Sequence, residues 1–75
     1  MSRQYLKICE KTHNRLEATF KDNTITIFRE NNNRDWYIIV ISKTGTYLVD
    51  GWWNDSFKEP IYSALDYALE EAMLI

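Results

Sequence analysis

The sequence predicts an α+β domain: an antiparallel meander of four to five strands packed against one C-terminal amphipathic helix. Three observations carry that reading. The first is the stretch from Trp36 to Trp53, which alternates apolar residues, turns at Ser42-Lys43-Thr44-Gly45 and returns. The second is a shorter alternating pair over residues 15–29. The third is the run Ile61, Ala64, Leu65, Ala68, Leu69, Ala72 and Met73, spaced by threes and fours as the apolar stripe of a helix must be.

In chain order, residues 4–11 fit two patterns. As a strand, Leu6 and Ile8 share one side and Tyr5, Lys7 and Cys9 the other; as a helix, Tyr5, Leu6, Cys9 and His13 form a loose stripe. The strand is the better fit, with Thr12-His13-Asn14 as the following turn. Leu16, Ala18 and Phe20 then alternate with Glu17, Thr19 and Lys21. After a turn at Asp22-Asn23, Ile25 and Ile27 alternate with Thr24, Thr26 and Phe28. Glu30 to Arg34 reads as a polar loop.

The central strand carries Trp36, Ile38 and Val40 on one side and Tyr37, Ile39 and Ile41 on the other. Both sets are apolar, which predicts burial on both faces. Thr46 to Asp50 forms the return strand, and Gly51 allows a sharp bend before Trp52-Trp53. Adjacent residues of an extended chain point opposite ways, so one of the two tryptophans stays near the surface. Pro60 suits a first helical turn, and Ser56 to Glu59 has capping-box spacing.

Seventy-five residues make a single domain, 1–75, with a small core. One cysteine, Cys9, cannot form an intrachain disulfide, and it is expected to behave as a small buried hydrophobe. This points to a reducing compartment, the cytoplasm. The charged start lacks the apolar core of a signal peptide, and no apolar run approaches the ~20 residues that span a bilayer. Net charge is −2, unevenly placed: residues 1–43 carry +3 and residues 44–75 carry −5. Packing of one half on the other can neutralise that asymmetry.

Catalytic chemistry finds no constellation. His13 is the only histidine and lies in a turn-like segment. There is no glycine-rich phosphate loop, and no Cys/His cluster of metal-ligand spacing. Asp66, Glu70 and Glu71 fit a solvated helix face. The expectation is a non-enzymatic protein with no cofactor and no metal.

Two binding readings remain. A sheet covered by one helix leaves its other face open, and Trp36, Tyr37, Tyr47, Trp52 and Trp53 are the candidates for an aromatic protein-binding surface there. A homodimer through that face or an edge strand would also enlarge the small core. The alternative is a nucleic-acid-binding module. In an extended segment Arg3, Tyr5, Lys7, Lys11 and Arg15 share a face, and basic residues interleaved with aromatics hold phosphates and stack bases. The acidic composition, with a pI near 5.2, weighs against it.

The passage YLVDGWWNDSFKEPIYSALDYALEEA runs an aromatic strand end into an alanine-spaced helix. Together with short length and abundant aromatics, it resembles small orphan accessory proteins of bacteriophages and prophages. The resemblance implies a host-directed role, in which the chain binds a host protein and modulates or inhibits it.

Overall fold

The computed structural model describes residues 5–30, 35–54 and 60–74. It has the predicted α+β architecture. Five strands, β1 (Leu6–Lys11), β2 (Arg15–Phe20), β3 (Asn23–Phe28), β4 (Asp35–Ile41) and β5 (Tyr47–Asn54), precede one helix, α1 (Pro60–Glu71). The strands lie in chain order, each antiparallel to the next. Of the stretch 4–11 that fitted two patterns, Leu6–Lys11 is thus a strand. The capping-box residues Ser56 to Glu59 lie outside the described residues.

The β2–β3 hairpin turns one residue earlier than its Asx pair suggests. Phe20 pairs with Asn23, and Lys21 and Asp22 form a two-residue loop with φ of 48° and 68°. Positive φ at both positions is the type I′ geometry that matches strand twist. Asn23 serves beside the turn: its Nδ2 donates to the carbonyls of Phe20 (2.9 Å) and Lys21 (3.2 Å). At the next hairpin Gly45 takes φ 89°, its N–H donates to the Ser42 carbonyl, and the Ser42 hydroxyl accepts from the Thr46 N–H.

One sheet face is the core. Leu16, Ala18, Phe20, Ile25, Ile27, Trp36, Ile38 and Val40 are buried there under Ile61, Ala64, Leu65, Ala68, Leu69 and Ala72 of the helix segment. The alanines every fourth residue let α1 lie close to β3, β4 and β5. Six of the seven stripe residues pack as predicted. Met73 does not, because the helix ends at Glu71. Met73 takes φ 59° and its N–H donates to the Glu70 carbonyl, while the Leu74 N–H reaches back to the Leu69 carbonyl at 2.9 Å. These two bonds form a Schellman cap, which turns Met73 out to solvent and Leu74 back onto the core.

Three further expectations are corrected. Gly51 makes no bend; it pairs with Ile38 in the middle of β5, which runs on through Trp52 and Trp53 to Asn54. The central strand is not buried on both faces, since Tyr37, Ile39 and Ile41 are only half-buried on the side away from the helix. Cys9 is exposed, not buried. It is the extra residue of a bulge, between the pairs Ile8–Ala18 and Glu10–Glu17, and an unpaired bulge residue is free to turn outward.

Candidate binding face of the sheet

Directly opposed residues of antiparallel strands share a face, so register decides what the open side displays. Arg15 pairs with Phe28, Phe28 with Tyr37, and Tyr37 with Trp52. These four side chains form one row across β2 to β5. The Arg15 guanidinium lies 5.9 Å from the centre of the Phe28 ring. Phe28 and Tyr37 are 5.6 Å apart and tilted by 36°; Tyr37 and Trp52 meet edge to face at 4.9 Å. The next row is Glu17, Thr26, Ile39 and Asp50, and the next Thr19, Thr24, Ile41 and Tyr47. Trp52 is 68% exposed and Tyr47 60% exposed, at opposite ends of β5.

Tyr37 anchors the row. Its hydroxyl donates to Asp50 Oδ1, and that bond raises the phenol pKa above its ordinary value. A shallow cleft of about 280 Å³, lined by Phe28, Arg29, Glu30, Asp35 and Trp52, adjoins the row at the chain's Asp35 end. Asn54 closes that end of the β4–β5 pair by donating to Asp35 Oδ1 at 2.6 Å.

Five aromatic residues were candidates for this face, and two of them lie elsewhere. Trp36 is fully buried on the helix side, beneath the Arg29 guanidinium, which sits 4.3 Å from its ring centre. Its indole Nε1 has no hydrogen-bond partner among the described residues. Trp53 pairs with Trp36 and faces the same way, stacked on Tyr67 of the helix at 5.3 Å. Tyr37, Tyr47 and Trp52 do lie on the open face. Phe28, Ile39 and Ile41 belong with them. Phe28 could have been found: it continues the outward set Thr24 and Thr26, and an aromatic at the polar parity of a strand is the signal.

The basic stripe does not survive as one surface. The bulge at Cys9 reverses the alternation of β1. Lys7 opposes Thr19 on the open face, whereas Lys11 opposes Leu16 on the helix face, its Nζ 5.2 Å from the Tyr62 ring centre. Tyr5 meets Phe20 edge to face at 6.3 Å, on the core side. Arg3 lies outside the described residues. Arg15 does reach the open face, but it bridges Glu17 at 3.5 Å and Glu10 at 3.9 Å. The two side chains face each other across β1 and β2, so a proton held between them resides on Glu10, whose pKa is raised, while Glu17, which accepts it and pairs with Arg15, has its pKa lowered.

Among the described residues no His, Cys, Asp or Glu cluster could hold a metal ion, and no helix is long and apolar enough to cross a membrane. Comparison with family models, with curated proteins and with solved structures gives no match.

Proposed function

We propose that this chain is a non-enzymatic interaction protein of the cytoplasm that docks on another protein through its open sheet face. The supporting observation is the row Phe28, Tyr37 and Trp52 with Ile39, Ile41 and Tyr47 beside it, opposite the helix, with Trp52 68% exposed. Rigid aromatic side chains supply large contact area at low entropic cost, which is why Trp and Tyr dominate interface hot spots. Tyr37, held by Asp50 and flanked by two rings, is preorganised for that use. The resemblance to phage accessory proteins makes a host protein the partner, and modulation or inhibition the outcome. A self-associating face is the competing form of the same reading.

The test compares the wild-type chain with the Tyr47→Ala/Trp52→Ala double variant. Light scattering reads oligomeric state, and affinity capture from a bacterial lysate reads partners. Loss of one captured protein by the double variant supports a heterologous partner. A wild-type dimer that the variant converts to monomer supports self-association. A monomer that captures the same proteins with and without the two aromatics overturns the proposal.

A nucleic-acid reading keeps one supporting observation: Lys7 and Arg15 share the open face with the aromatic row. Exposed rings beside cations can stack unpaired bases. Its mark would be a salt-dependent shift of a single-stranded oligonucleotide, lost in Lys7→Glu/Arg15→Glu. No shift at low salt removes it.

A further inference from the structure

The two edges of the sheet differ. β1 is short, bulged at Cys9 and carries Lys7, Glu10 and Lys11, the features that discourage another strand from pairing. β5 is the longest strand, eight residues; past its own bulge at Leu48, the run Val49 to Asn54 pairs regularly with β4, and alternate residues of its outer edge present N–H and C=O groups away from β4. A groove of about 260 Å³ runs beside it. Five consecutive strand residues, Leu48 to Trp52, line one side, and Tyr67 and Glu71 of the helix line the other. Gly51 widens the groove: a Cβ there would meet no atom within 4 Å.

The groove is negative on both sides. Asp50 projects on the open-face side, opposite Ile39, and Glu71 flanks the strand on the helix side. Glu71 also occupies the last turn of α1, which has no basic residue. Helix C-termini favour cations and disfavour carboxylates, so Glu71 is poorly placed for stability. An incoming cation would supply what the helix end lacks.

We infer that the β5 edge and the Glu71 side of α1 form a β-augmentation groove for an extended basic peptide segment of another protein. The incoming backbone pairs with the outer edge of β5, and its alternate side chains fall on the two sides, where lysine or arginine meets Glu71 and Asp50. A second copy of this chain fits poorly. A two-fold β5–β5 pairing apposes the same patch on both subunits, bringing the Asp50 and Glu71 carboxylates of both copies together. The groove shares Trp52 and Asp50 with the aromatic row, but Gly51 and Glu71, the residues its variants change, lie on the helix side, so its test does not depend on that row.

The probe is a synthetic peptide of about eight residues, lysine pairs alternating with valine pairs so that both faces carry cations. Binding is followed by amide NMR shifts and hydrogen exchange at low salt. The expected result is slowed exchange at alternate β5 amides, weakened by salt and lost when alternate peptide nitrogens are methylated. Gly51→Val should weaken binding by about tenfold or more by filling the groove. Glu71→Lys should weaken it similarly while leaving melting temperature unchanged or higher, which separates the effect from unfolding. Any of four results overturns the proposal: no binding, equal binding of the N-methylated peptide, equal binding of a glutamate-for-lysine peptide, or protection on β1 instead of β5. Dimerisation of the free chain through β5 would also overturn it.

Discussion

Trp36 and Trp52 show how far strand parity separates two residues of the same type. Trp36 is fully buried and Trp52 68% exposed, although both sit on the β4–β5 ladder. Trp36→Ala is expected to cost about 3–5 kcal/mol, since it opens a cavity under the helix and removes the ring that Arg29 covers. Trp52→Ala should change stability by only about 0.5 kcal/mol. Urea denaturation of both variants checks the contrast; comparable losses would place Trp52 in the core. Tyr37 adds a pH signature. Its pKa is raised because the neutral phenol donates to Asp50. The stabilisation is therefore fully present below the ordinary tyrosine pKa of about 10 and lost as pH rises through the higher folded value. A phenolate absorbance titration should find one tyrosine ionising late, and Asp50→Asn should move it back toward the ordinary range.

At the scale of elements, three described non-glycine residues, Lys21, Asp22 and Met73, take the left-handed φ that glycine favours, and the last two close their motifs. Asp22 (φ 68°) closes a type I′ turn and Met73 (φ 59°) a Schellman cap. Neither side chain is in the buried core. Asp22→Gly and Met73→Gly should each stabilise by about 1 kcal/mol through relief of left-handed strain, and the two should add because the sites are independent. Thermal melts of the single and double variants read this directly; destabilisation by either would show that its side chain contributes more than the strain costs. These details also mark where sequence patterns stop being informative. The stripe from Ile61 to Ala72 was legible because helical spacing maps straight onto one face, and the paired alternation of β2 and β3 was legible for the same reason. The bulge at Cys9 was not, because one extra residue inverts alternation without changing composition. That inversion moved Lys11 away from Lys7 and broke the basic stripe. Gly51 misled in the opposite way: conformational freedom permits a bend, but the neighbours on β4 hold the strand straight. Tyr37, Tyr47 and Trp52 were legible as a group, but excluding Trp36 and Trp53 required the register, which only the assembled sheet supplies.

At the scale of the whole molecule, the core is one-sided. Every buried residue of the sheet lies on one face, and the helix segment covers that face. The sheet therefore has no apolar interior of its own; without the helix, Leu16, Phe20, Ile25, Ile27, Trp36, Ile38 and Val40 would face water. Each strand pairs with its sequence neighbour, so the pairings are local and quickly reached, but their stability waits on the last element of the chain. A core this small supplies roughly 3–5 kcal/mol in total. Replacing Leu65, which is fully buried on the core face of α1, by alanine should cost about 2–5 kcal/mol and so use most of that margin. A chain ending at Asn54 should lose the cooperative transition altogether and aggregate through the uncovered face. Urea unfolding followed by tryptophan fluorescence distinguishes the cases. Leu65→Ala should shift the midpoint steeply downward, and the truncated chain should give a sloping, non-sigmoidal trace. A sigmoidal transition in the truncated chain would mean that the sheet is stable alone, and that α1 is an addition to the fold instead of half of its core.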